Sequence, residues 1–222
     1  MHVTPGLAQD MGMTGFKHHL TRPELLAGPS TASIKYSYLL PSDTQVNTFG
    51  FAVGLGTSYV INNRFKIVVK IIFERKGGRR NGDLETFDST TQTRHIYKGA
   101  AYEIDRLNYL TIPIILDYSF GRKVPFHIGI GPYLSRLLKA QSSFGNSILN
   151  QKFVVTLTDN YRKIDFGVTV SIGFEISLKK GYKVEISLVG TSGLINITPA
   201  YGLTEKTNAL CFMISLPVPK IF

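Results

Sequence analysis

One histidine and one carboxylate are spaced so that they could do chemistry together. Leu110 to Phe120 and Phe126 to Leu134 both alternate apolar and small or polar residues, and Gly121-Arg122-Lys123 between them is a tight link. Folded as a hairpin with like faces together, these segments set Asp117 opposite His127. A carboxylate that orients an imidazole is the base half of a nucleophilic site, and Tyr133, Ser135 or Ser171 would have to supply the attacking hydroxyl. No spacing selects among the three. The favoured reading is a hydrogen-bonded structural pair in a polar interior, with a membrane-embedded hydrolase or acyltransferase as the alternative.

The next hairpin, from Leu178 to Tyr182, brings Glu175 opposite Glu185 on that same face. Two carboxylates side by side need a proton, a cation or lysines. Lys66, Lys70 and Lys183 share the inward parity of their strands, as do Lys35 and Lys76. The sequence therefore predicts an interior ionic network of Lys66, Lys70, Glu74, Asp117, His127, Asp165, Glu175, Lys183 and Glu185, which fills the interior and leaves no pore. No catalytic, cofactor or metal site is expected. Cys211 is the sole cysteine, His2 and His18-His19 have no second ligand pair at usable spacing, and Gly129-x-Gly131 runs into a proline instead of opening a helix.

The elements that position these residues are strands. The run FGFAVGLGTSYV puts Phe49, Phe51, Val53, Leu55 and Tyr59 on one parity and Gly50, Ala52, Gly54, Gly56 and Ser58 on the other. The pattern recurs from Ile164 to Leu178 and in Phe65–Phe73, Leu110–Phe120, Phe126–Leu134, Tyr182–Leu188 and Leu210–Leu216, with a weaker version at Ile34–Leu40. That makes about eight strands. Short links at Asn62-Asn63, Gly121 to Lys123 and Lys179 to Gly181 alternate with long polar ones at Pro41–Thr48, Gly77–Glu103, Ala140–Asn160 and Gly190–Glu205. All short turns and both termini then lie at one end, as in outer-membrane barrels.

Which parity faces inward decides between a soluble and a membrane barrel. A narrow ring of eight strands has room inside for glycine, serine and a few charged groups, so the Phe, Ile, Val and Leu parity must face lipid. The expected fold class is all-β: an antiparallel up-and-down transmembrane β-barrel of about eight strands spanning 28–222, behind an irregular segment 1–27. Tyr36, Tyr38, Tyr59, Tyr118, Phe120, Phe126, Tyr161 and Tyr182 near strand ends suit interfacial girdles. A soluble ligand-binding barrel is the alternative. Pro113 and Pro132, inside strands, predict local breaks in the ladder.

The 222 residues carry a net charge of +10, with hydrophobic content of 43%. Disorder is excluded, and the scattered Lys and Arg do not form the single basic face of a nucleic-acid domain. The densest cluster, Arg75, Lys76, Arg79 and Arg80 beside Gly77-Gly78, reads as a basic extracellular loop, favoured as simply solvated, with contact to outer-membrane lipid and lipopolysaccharide phosphates as the alternative.

Three segments carry a resemblance, covering roughly Ala32 to the C-terminus. They are the FGFAVGLG strand followed by one ending Phe73-Glu74-Arg75-Lys76-Gly77, the strand Leu107-Asn108-Tyr109-Leu110-Thr111-Ile112-Pro113, and Gly129-Ile130-Gly131-Pro132-Tyr133, with Asp165-Phe166-Gly167 opening the next strand. In these the chain resembles the PorT-like outer-membrane β-barrel family of the Bacteroidota. The resemblance implies the bacterial outer membrane with periplasmic termini and a non-enzymatic role as a structural or interaction component of the cell envelope. It also implies a possible envelope or secretion-complex protein as partner, accessory to type IX secretion. Thr111 departs from the family, which often has glutamate there. Residues 1–27 lack a signal-peptide pattern, so the chain is expected to be a mature form.

Overall fold

The computed structural model describes residues 19–21, 23–36, 44–88, 90–121, 124–148, 150–178, 183–199 and 204–218. Eight long strands form the wall: β1 (Glu24–Tyr36), β2 (Thr48–Val60), β3 (Phe65–Asp88), β4 (Thr93–Phe120), β5 (Phe126–Asn146), β6 (Ile164–Ser177), β7 (Lys183–Gly193) and β8 (Glu205–Pro217). Each pairs antiparallel with its neighbours in sequence, and β8 pairs with β1, so the ring closes and leaves no edge within the wall. Short strands at His19–Leu20, Thr44–Val46 and Gln151–Thr156 attach to β2, β3 and β5.

Turn chemistry fixes the short links. Asn62 Oδ1 accepts the N–H groups of Arg64 and Phe65, both at 2.8 Å, which is an Asx-type reversal. Gly121 has φ +92°, a conformation that side chains resist. Pairing lapses for two residues at Pro29 and Pro113, and again between β4 and β5 at Pro132, then resumes in the same register. The prolines thus interrupt the ladder without bulging it. The bulges fall elsewhere, between Gly82 and Leu84 and opposite Asn108/Tyr109.

The bulky parity faces out and the small and charged parity faces in. Phe49, Ile130 and Ile172 are among the most exposed apolar side chains, whereas Lys76, Asp165 and Ser135 are fully buried. Along β4 the outward run Leu110 to Phe120 spans about 25 Å once strand tilt is allowed for, matching a bilayer's apolar thickness. At the short-turn end Phe65, Tyr118, Phe120, Phe126 and Phe174 form a chain of outward ring contacts with centroids 5.1–6.1 Å apart, an interfacial girdle.

Several expectations need correcting. Gly77–Glu103 is not a loop, because β3 runs unbroken to Asp88 and pairs with β4 almost to its tip. Strand that rises past the bilayer into water needs no apolar residues, so its composition reads as loop. Part of Ala140–Asn160 is likewise strand, through β5 and Gln151–Thr156. The first wall strand opens at Glu24, inside the segment expected to be irregular and well before Ile34. Tyr36 belongs to no girdle: its hydroxyl donates to buried Asp105. Lys35 lies on the outward parity, opposite Lys206. Tyr38, Tyr182, His2, His18 and most of 1–27 lie outside the described residues.

Candidate functional site: the charged lumen

Polar groups fill the lumen in three layers. At the short-turn end, Lys66 Nζ lies 3.9 Å from Asp117, 3.5 Å from Glu175 and 3.6 Å from Glu185. Lys70 lies 3.7 Å from Glu185, and Lys183 reaches Glu175 at 3.1 Å from the rim. Glu175 and Glu185 are direct cross-strand partners, so these lysines supply the compensation that the pair requires. A cavity of about 250 Å³ opens among Thr21, Glu24, Ser58, Lys66, Glu185 and Ser215.

His127 Nδ1 and Asp117 Oδ2 are 3.1 Å apart, but not as direct cross-strand partners. His127 faces Ser119, and Asp117 faces Gly129, so the contact is diagonal. Gly173 leaves the space that the imidazole occupies, since a Cβ there would sit 2.5 Å from Nε2. That nitrogen faces Glu185 at 3.8 Å. Ser135 is engaged with Thr111, and the Tyr133 hydroxyl donates to Asp165. Ser171, the third candidate, is buried beside Asp117, since a Cβ on Gly129 would come within 2.8 Å of the serine Oγ and 3.1 Å of Asp117 Oδ2, while the group that Nε2 itself faces is the Glu185 carboxylate.

The middle layer centres on Lys76, fully buried between Glu74 at 3.3 Å and Asp165 at 3.4 Å. Its ammonium also lies 4.3 Å from the Tyr133 ring centroid and 5.3 Å from that of Tyr109, inside cation–π range. Thr111 and Thr207 donate to Glu74 and Asp165. The partners come from five strands, so this cluster ties β3, β4, β5, β6 and β8 together across the lumen. A Cβ on Gly167 would come within 2.6 Å of the Tyr133 ring, which shows why this strand carries glycine on its inward parity. Beside the cluster, Leu26, Ala52, Ile72, Val189, Cys211 and Met213 form an apolar plug.

In the layer toward the taller strands, Asp105 accepts from Tyr36 and Ser142, and Arg80 pairs with Glu103 while lying over the Tyr36 ring. Ile197 is buried there against Ile34, Leu107, Tyr109 and Leu137, so the segment after β7 caps the mouth. Outside the wall, Lys163 donates to Asp159 and holds that carboxyl below its ordinary range. With salt bridges stacked through the lumen, no steady open-channel current is expected from the protein in planar bilayers. Appreciable single-channel conductance would show that the ion pairs do not close the interior.

The expected basic loop comes apart. Arg75, Lys76, Arg79 and Arg80 are all strand residues of β3, and alternation sends Lys76 and Arg80 inward to carboxylates while Arg75 and Arg79 face out. Strand periodicity continued through Gly77-Gly78 would have separated them. It would also have found Glu103 and Asp105, which share the inward parity of Asp117, and the Tyr109–Tyr133 pair around Lys76.

No curated protein sequence matches the chain. Among solved structures it is similar to Neisserial surface protein A (11% identity, 90% of this chain and 99% of that one, TM-score 0.44). It is also similar to Ail, the attachment invasion locus protein of Yersinia pestis (10%, 89% and 98%, 0.41), and to OprG of Pseudomonas aeruginosa (11%, 90% and 95%, 0.39). The model of one family matches residues 12–198, most of the closed ring, and the chain belongs to that family, the outer membrane protein beta-barrel domain family of the bacterial outer membrane.

Proposed function

We propose that the protein is a non-enzymatic interaction component of the cell envelope, with its termini in the periplasm and its tall side presented outside the cell. One observation carries this reading. β3, β4 and β5, with the short strand Gln151–Thr156 added to β5, run far past the apolar band as a paired sheet that exposes Phe87, Ile96 and Phe153, and apolar side chains gathered on an exposed sheet mark contact surface. The chemistry that a closed ionic lumen offers is structural. The PorT-like motifs favour an envelope or secretion-complex protein as the partner, with type IX secretion as the setting.

The test uses the burial of Cys211, which leaves the native chain silent to a membrane-impermeant maleimide. Phe87→Cys is expected to label on intact cells, and Asn63→Cys only after the outer membrane is permeabilised. A photo-crosslinker at position 153 should give one adduct that disappears when residues 84–97 are deleted, while the deleted protein still migrates as a heat-modifiable barrel. Reversed labelling, or an adduct indifferent to the deletion, would overturn the proposal.

A further inference from the structure

The wall sorts its charges by sign. Below the bulge at Gly82, every described Asp and Glu of the eight strands, from Glu24 to Glu205, sits on the inward parity. The outward parity of the same strands carries cations. Arg75 is the first outward residue of β3 beyond Phe73, Arg106 lies on β4 beyond Leu110 and Asn108, and Lys139 lies on β5 beyond Leu134 and Leu138. These three converge. Arg75 and Lys139 both pair with Asn108, from opposite sides, and Arg106 stands in the next row opposite Gly77, which adds no side chain of its own.

Inward cations and outward cations differ in what they touch. Lys66, Lys70, Lys76 and Arg80 each have a carboxylate within 4 Å. Among the described residues, no carboxylate lies within 4 Å of Arg75, Arg106 or Lys139. Arg75 Nε donates to the Asn108 amide oxygen at 3.1 Å and its guanidinium lies over Phe51, and Arg106 donates to the Ser143 hydroxyl at 3.4 Å. Neutral partners orient these side chains and leave their charge uncompensated. Farther round the ring the outward Lys35 and Lys206 are direct cross-strand partners, and like charges placed so destabilise a sheet unless an anion lies between them.

We propose that Arg75, Arg106 and Lys139 form a binding site for the phosphate of a membrane lipid headgroup, at the border between the apolar band and water. The site needs no pocket, because the lipid's acyl chains lie along the apolar strand surface below while its phosphate meets the cations. Two guanidiniums and one ammonium offer the forked, charge-assisted donors that phosphate oxygens accept. The proposal rests on the outer-membrane reading for the leaflet that supplies the phosphate, and it makes these three cations, a collar above the apolar band, a lipid contact distinct from the protein contact of the tall side.

The experiment titrates purified protein in micelles with bis-phosphorylated lipid A, with the same lipid stripped of its phosphates, and with inorganic phosphate, counting bound lipid by native mass spectrometry. The triple variant R75Q/R106Q/K139Q is expected to bind the phosphorylated lipid about a hundredfold more weakly than wild type. The dephosphorylated lipid should bind both equally weakly. Equal affinities of variant and wild type would overturn the site. Wild-type indifference to the lipid's phosphates would do so without any variant, whether or not the variant folds. Inorganic phosphate binding as tightly as the lipid would overturn a lipid source. The in-cell labelling of Phe87→Cys does not depend on the collar, so its failure would sink the envelope-contact reading alone.

Discussion

Lys76→Met is expected to cost the barrel about 3–5 kcal/mol of stability, the size of effect that follows when one partner is removed from a buried ionic cluster. Methionine fills the volume, so packing loss is a minor part. What remains are Glu74 and Asp165, both buried, without the ammonium that stands 3.3 and 3.4 Å from them. Thr111, Thr207 and Tyr133 still donate to these carboxylates, but neutral hydroxyls offset only part of the charge. Urea unfolding in micelles, followed by far-ultraviolet circular dichroism, measures the effect. The triple substitution K76M/E74Q/D165N removes the charges together and should recover most of the loss, a non-additivity that marks an ionic origin. A single variant within about 1 kcal/mol of wild type would mean that lumenal water already solvates these groups.

That prediction depends on a residue the sequence shows ambiguously. Lys76 shares inward parity with Lys66 and Lys70, yet it also sits in a string of four basic residues beside two glycines. Local composition suggests a solvated loop, and parity suggests the lumen. Parity prevails because β4 offers a hydrogen-bonding partner along the whole stretch, which no local pattern of β3 can reveal. The fold was legible for the converse reason: the Gly/Phe alternation of β2 and the Asp/Ile alternation of β6 are local, and an eight-strand ring admits only one inside for them. The collar was half legible. Arg75 stands out as a charge, but Arg106 and Lys139 become its neighbours only through registers of β4 and β5 that include a bulge at Asn108/Tyr109. The Asp117–His127 contact shows the limit from the other side: parity brings the two together, while the register that makes the contact diagonal depends on a turn whose geometry is not written in its composition.

Outward substitutions should follow depth, and Ile114 is where the effect is largest. Ile114 lies midway along the apolar run of β4 and is half exposed. Arg at the midplane of a membrane barrel's lipid face costs about 2–4 kcal/mol, against about 0–1 near the interface. Ile114→Arg is therefore expected to lower folding stability in bilayers by the larger amount. Leu110→Arg, on the same strand and face but beside Asn108 and the collar, should cost the smaller one, because its side chain can rise to the headgroups. The two sites match in strand and orientation, which leaves depth as the variable. A soluble barrel would tolerate Arg on its outer face at both positions, so equal and small costs would place this face in water and not in lipid. A graded cost fixes the position of the bilayer on β4, and with it the height at which Arg75, Arg106 and Lys139 meet the headgroups.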